Sequence, residues 1–319
     1  LSQYCESRQC KVQIKTVEEA RKHIIQLGQK ATAAVPPLFS EYLKKRGFDA
    51  DLLKKSGVIY MEREKMIRAL FDAGITKELL TQTGITRVGF GETYRLLLPL
   101  YDEKGQCIGF IGRLNPDLQP IDGEQPKYKN NRGLSKDVPY LYHLANQPGN
   151  HKIVVVEGPF DALLITYKCD LKGVGVIAAC GDAFGEQAIS MLNNSSPRIF
   201  VLAMDDDLAG HLATATLIEK LKKQLFVVPN FSGFKDPGEM IPAKGAAKFK
   251  ELLFGAIPFS MWLFQTYLLE SIQQRGAGGR VDVLAGLAPV FQNLGGGQDR
   301  EVFLKEARKA TLLHPDDIK

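Results

Sequence analysis

The chain has 319 residues, 45% of them hydrophobic and 24% charged, which excludes a disordered tail and leaves room for more than one core. No apolar run approaches the roughly 20 residues a membrane helix needs, LSQYCESRQC is not a secretory leader, and the five cysteines form no C-x-x-C pair; the expectation is a cytoplasmic protein with reduced thiols and no membrane partner. The net charge of +5 is uneven: residues 1–150 carry 23 Lys and Arg against 17 Asp and Glu, residues 151–319 carry 18 against 19, as expected of a polyanion surface beside a site that needs carboxylates.

In chain order, TVEEARKHIIQLGQ from Thr16 predicts a helix with a Thr cap and early glutamates. Residues 1–35 read as a leader helix and linker, broken at Pro36-Pro37. LFSEYLKKRGFDADLLKKSGVIY follows with helical spacing, a stop at Gly47 and a second short helix, and EKMIRALFDAGIT repeats the form. From Tyr94 the period changes. YRLLLPLYD and QCIGFIGRL predict two strands joined by a hairpin turn at Glu103-Lys104-Gly105. Next comes a long polar loop, NPDLQPIDGEQPKYKNNRGLSKDVP, of a length that points to function or mobility. Within it, Lys127, Lys129, Arg132 and Lys136 surround Tyr128 with no acid among them. Such cations neutralise phosphates and such a ring stacks on a base; a solvated basic loop is the plainer alternative.

Residues 36–150 are thus expected to form a basic mixed α/β subdomain. At His151 a third texture begins. KIVVVEG, GVGVIAACG, RIFVLAMD and QLFVVPN are continuous apolar runs separated by PFDALLITYK, FGEQAISMLNN and GHLATATLIEKLKK. Buried strands alternating with helices predict an α/β fold over 151–255, a parallel sheet with flanking helices on both faces. From Pro258 the pattern is helical again, so 256–319 is expected to be a small helical subdomain.

Acidic residues mark the ends of three of these strands. Glu157 and Gly158 follow the first, with Asp161 just inside the next helix; Asp205, Asp206 and Asp207 follow the third; Lys235-Asp236-Pro237 comes after the fourth. Ligands of parallel α/β sheets sit beyond the carboxyl ends of the strands. In an extended segment Asp205 and Asp207 share one side and Asp206 takes the other, and Glu157 can approach from a neighbouring strand. Hard oxygen ligands of this kind suit Mg²⁺ or Mn²⁺. Each acid also has a helix-terminus reading: Asp207 stands where an N-cap belongs, and Asp161 in a first turn.

E-G-x-x-D (Glu157, Gly158, Asp161), D-x-D-x-A-G (Asp205, Asp207, Ala209, Gly210) and the Asp236-Pro237 step together resemble the Toprim domain. RLLLPLYDEKGQCIGFIGRL, then Pro126-Lys127-Tyr128, then LYHLANQ resemble the core of bacterial DnaG-type primases just ahead of their Toprim domain; YLKKRGFDADLLKKSGV, ALFDAGI and the tail with Arg300 and Phe303-Leu304 extend the likeness. The family's zinc ribbon and helicase-binding region have no counterpart here, and the chain opens on Leu1, as an excised piece would. Gly238 stands where the family usually has a second acid after Asp-Pro, with Glu239 one place late, and Gly181-Asp182 replaces its usual Gly-Thr.

The resemblance implies metal-dependent primer synthesis on single-stranded DNA from NTPs, with a replicative helicase as a further partner. Glu157, Asp205 and Asp207 would be catalytic, and these with Asp236 would hold two or more ions, Glu239 being a further candidate. Arg95, Arg113, Lys127, Tyr128, Lys129 and Asp161 would bind nucleotide or template. A Toprim nuclease and a non-catalytic single-stranded DNA-binding module are the alternatives.

Overall fold

The computed structural model of the chain describes residues 14–121, 124–131, 134, 137–180, 184–263, 265–266, 301 and 304–305. Arg132 and Lys136 of the basic stretch, the Gly181-Asp182 step, Arg300, Phe303 and most of the expected C-terminal helical subdomain lie outside the described residues.

Helix α1 (Val17–Thr32) starts as its sequence predicts. The Thr16 hydroxyl accepts from the Glu19 N–H at 3.1 Å while a Glu19 carboxylate oxygen accepts from the Thr16 N–H at 3.0 Å, which satisfies two otherwise orphaned donors. α2 (Pro37–Lys45), α3 (Ala50–Ser56), β1 (Ile59–Tyr60), α4 (Arg63–Asp72) and α5 (Lys77–Thr83) follow. Strands β2 (Leu96–Tyr101) and β3 (Cys107–Arg113) form the predicted hairpin. Its turn is closed by Asp102 Oδ1, which accepts from the N–H groups of Lys104 and Gln106 at 3.0 and 2.9 Å, and Gly105 takes φ 78°.

The stretch read as one long loop contains a third strand, β4 (Tyr128–Asn130), antiparallel to β3 with Tyr128 opposite Arg113. Three polar residues on a sheet edge carry no apolar alternation, so only pairing with β3 defines this strand. The first sheet runs β1-β2-β3-β4. One face of it holds Leu97 and Phe110 in a core with Ala20 and Ile24 of α1, so the expected leader helix is packed onto this sheet. The approach is close: a Cβ at Gly28 would meet the Ile59 side chain.

After α6 (Tyr142–Ala145), the second sheet is built from β5 (Lys152–Val156), α7 (Pro159–Lys168), β6 (Val174–Ala178), α8 (Glu186–Asn194), β7 (Ile199–Leu202), α9 (Leu208–Lys220) and β8 (Gln224–Val227). α10 (Pro237–Lys244), α11 (Ala246–Phe254), β9 (Ile257–Pro258) and α12 (Phe259–Leu263) complete the described elements. The strand order is β6-β5-β7-β8-β9, with the first four parallel and β9 antiparallel at the edge. KIVVV reads as an unbroken apolar run because both faces are covered: Val154 and Val156 pack with Phe48 and Phe160, Ile153 and Val155 with Leu192 and Leu217. Each such burial is worth about 1.5–3 kcal/mol. Leu96, Leu98 and Ile111 of the first sheet join the Val154 core, which fixes the basic edge of one sheet against the carboxyl end of the other.

The chain steps from β5 to β6 on one side and returns to β7 on the other. The crevice of this fold therefore opens between the ends of β5 and β7, where Glu157 and Asp205 lie. Among the described residues, no helix is long and apolar enough to cross a membrane.

Candidate active site

Glu157 follows β5, Asp161 sits in the first turn of α7, Asp205 lies just past β7, Asp207 caps α9 and Asp236 caps α10. Asp161, Asp205 and Asp236 are buried, and each offers a carboxylate oxygen within 4.8 Å of the other two. Glu157 and Asp207 stand beside this trio. Two glycines make the cluster possible. A Cβ at either Gly158 or Gly238 would collide with a carboxylate oxygen of Asp161, so the absent second acid after Asp236-Pro237 leaves the space that Asp161 fills.

The crowding shows in proton affinities. Burial, then Asp205, pushes Glu157 up to about 7; burial, then Asp236, pushes Asp161 up to about 7 as well. Asp205 is raised by burial and by Asp236. Asp207 goes the other way, lowered first by the Gly210 N–H that its Oδ1 accepts at 2.9 Å. A positive group does sit at the triple aspartate: Lys235 Nζ lies 3.2 Å from Asp205 Oδ2 and 2.9 Å from Asp207 Oδ2. Asp206 turns away to His211, 3.1 Å from its Nε2. The alternation expected of an extended segment is therefore present, and Asp207 serves as cap and ion-pair partner at once.

These residues fit a metal ion. Three hard oxygen donors converge, and Asp161 Oδ1 is buried with no hydrogen-bond partner, an arrangement that is costly unless a cation or proton completes it.

Cations line the first sheet's edge above the acids. Lys127 is exposed, and its charge acts on Glu157, Asp161 and Asp205. Arg113 lies over the Tyr128 ring at 4.9 Å, the cross-strand partner fixed by register, and its Nε donates to the Tyr42 hydroxyl at 2.9 Å. Tyr128 therefore already carries a guanidinium on its ring, and its hydroxyl reaches the Gly158 turn. Lys129 lies over Tyr94 at 5.3 Å, and the Tyr94 hydroxyl donates to the Pro126 carbonyl at 2.9 Å. Arg95 is held elsewhere on the sheet: its N–H donates to Asn115 Oδ1 at 2.9 Å, its charge acts on Glu62, and its Nε is buried without a partner.

Sequence reasoning passed over Arg46. It sits at the end of α2 with Nη1 3.9 Å from Asp236 Oδ1. Burial alone would weaken its hold on the proton, but Tyr42, Asp161 and Tyr128 more than offset that. In sequence it ends the run Lys44-Lys45-Arg46, which looks like an ordinary basic helix terminus.

Two family models match the chain: the DNA primase catalytic core, N-terminal domain, over residues 26–144, and a Toprim-like model over residues 154–241. The DNA primase of Thermotoga maritima is 28% identical over 267 residues, which cover 78% of this chain and 44% of that protein; the chain thus spans less than half the length of this curated relative. Among solved structures, the RNA polymerase domain of Mycobacterium tuberculosis primase DnaG aligns with a TM-score of 0.72 at 23% identity, covering 92% of this chain and 98% of that one. A DnaG primase catalytic domain bound to ssDNA aligns with a TM-score of 0.64 at 20% identity, covering 93% and 99%. With both halves matched in order, and with a parallel sheet carrying its acids at the switch point, the chain belongs to the bacterial DnaG-type primase cores.

Proposed function

We propose that the chain synthesises primers, joining ribonucleoside triphosphates on a single-stranded DNA template with release of pyrophosphate. One observation carries this reading: the charge of Lys127 acts on the buried Asp161–Asp205–Asp236 cluster, and the neighbouring Tyr128, paired with Arg113, reaches the Gly158 turn beside Asp161. Carboxylates that need a cation and cations that need phosphates then face one substrate. The related DnaG domain bound to ssDNA supports the choice of template.

Asp161, Asp205 and Asp236 would hold Mg²⁺ or Mn²⁺, with Glu157 and Asp207 at the margin. When bound, divalent ions of this kind neutralise triphosphate charge and make a hydroxyl easier to deprotonate. Glu157, half-protonated near neutral pH, is suited to take the proton of the attacking 3′-hydroxyl on a carboxylate oxygen. Lys127 and Lys235 bring two ammonium groups to the acids, suited to meet triphosphate oxygens there. Tyr128 and Tyr42 hold the Arg113 guanidinium in a fixed plane, the geometry that grips a phosphate with two parallel bonds. Arg46 supports the cluster from behind by offsetting the charge of Asp236.

Asp205→Asn should lower incorporation of labelled NTPs on single-stranded DNA roughly a thousandfold, the loss of an electrostatic anchor worth about 4 kcal/mol. Fragmentation of the DNA without NTPs would instead mark a nuclease. Gly238→Ala should abolish saturable Mn²⁺ binding measured by calorimetry although alanine favours a helix, because its methyl group displaces Asp161; unchanged binding contradicts the assignment of Asp161. In chelator, Glu157 and Asp161 bind protons more tightly folded than unfolded, since their affinities rise from 4.5 and 3.8 to about 7. Their contribution is complete below about pH 4 and is lost as pH rises to about 7. The urea midpoint should fall across that window, and the Glu157→Gln, Asp161→Asn double variant should flatten the fall.

A further inference from the structure

Away from the acidic cluster, α1, α2, α3 and the end of α7 line an open pocket of about 890 Å³. Cavities of this size take small molecules, and their walls are mostly apolar with a few placed charges. Here Leu43, Phe48 and Val58 are buried in the lining and Leu53 is half-buried. The rim is one-sided in charge. Lys30, Lys44, Lys54 and Lys168 line it, all exposed, against a single acid, Asp49. That acid is already committed: one carboxylate oxygen lies 3.0 Å from Lys168 Nζ, and the other accepts from the Leu52 N–H at 2.8 Å. Among the described residues, Lys30, Lys44 and Lys54 have no carboxylate partner.

A largely apolar chamber with three unpaired ammonium groups at its rim selects for a ligand with both characters. We infer that this cavity binds a small amphipathic anion, a molecule with an aromatic or aliphatic body and one or two carboxylate, sulfonate or phosphate groups. The body lies on Leu53, Val35 and Ala33, with Leu43, Phe48 and Val58 buried behind them, and the anionic group meets Lys44 and Lys54. An uncharged apolar molecule leaves the rim unused, and a free inorganic anion leaves the floor uncovered.

The cavity also backs onto the acidic cluster. Gly47 and Phe48 line it, and the preceding residue is Arg46, which faces Asp236. Phe48 meets Phe160 with ring centroids 4.9 Å apart, and Phe160 precedes Asp161. Gly47 takes φ +80°, and a Cβ there would lie 3.1 Å from Pro242 and 3.2 Å from Leu164. One tight turn therefore forms a wall of both sites.

The test titrates the full chain with anilinonaphthalene sulfonate, an apolar body bearing one sulfonate, and in parallel with uncharged phenylnaphthylamine. The expected result is saturable one-site fluorescence for the sulfonate probe, abolished by Leu53→Trp and by Ala33→Trp, which fill the cavity from its wall and its mouth. The Lys44→Glu, Lys54→Glu double variant should weaken the sulfonate probe about tenfold, a shift of about 1.4 kcal/mol, and leave the uncharged probe unchanged. Absence of saturable binding, binding indifferent to both tryptophans in variants with native circular dichroism, or equal response of the two probes to charge reversal would overturn the inference.

Discussion

Repulsion between buried carboxylates organises this molecule. Three oxygens within 4.8 Å of one another repel by about 3 kcal/mol per ionised pair at an effective dielectric of 20. The fold offsets much of this by aiming helix N-termini at the cluster. Asp161 lies in the first turn of α7, Asp207 caps α9 beside Asp205, and Asp236 caps α10. Each terminus adds partial positive charge and N–H donors. Arg46 and Lys235 supply full charges from either side, and what they leave unbalanced is held as protons on Glu157 and Asp161 or is open to a cation. The cap reading and the metal reading of these acids therefore describe one device.

The two sheets divide the work by chemistry. The parallel sheet has both faces buried, so its polar groups gather at its carboxyl end, where backbone turns and helix termini meet and the candidate site lies. The antiparallel sheet ends in the edge strand β4, where Tyr128 and Lys129 are half-buried and Lys127, just before it, is exposed. Their shared core, with Leu98 and Ile111 against Val154 and Val156, sets the spacing between the acids and the basic row.

Much of this was legible in the residues. Continuous apolar runs between helical segments predicted the parallel sheet, and acids following KIVVV, RIFVLAM and QLFVVPN predicted where its site lies. The Asp205–Asp207 alternation followed from strand geometry alone. What sequence could not supply was contact between elements far apart in the chain. Strand β4 has no periodic signature and exists through its register with β3. Asp161 looked like a helix-dipole or template residue, since its place among Asp205 and Asp236 depends on the strand order β6-β5-β7-β8 and on the two glycines that clear room for it. Arg46 was hidden in a basic helix end. Gly238 looked like a lost ligand, and the structure makes it the condition for Asp161 to reach the cluster.

The most direct test is anomalous diffraction from crystals soaked in manganese. A peak among the carboxylates of Asp161, Asp205 and Asp236, with the Lys235 ammonium displaced from Asp205, is the predicted result. Saturating manganese with no peak within coordination distance of those three residues would contradict it.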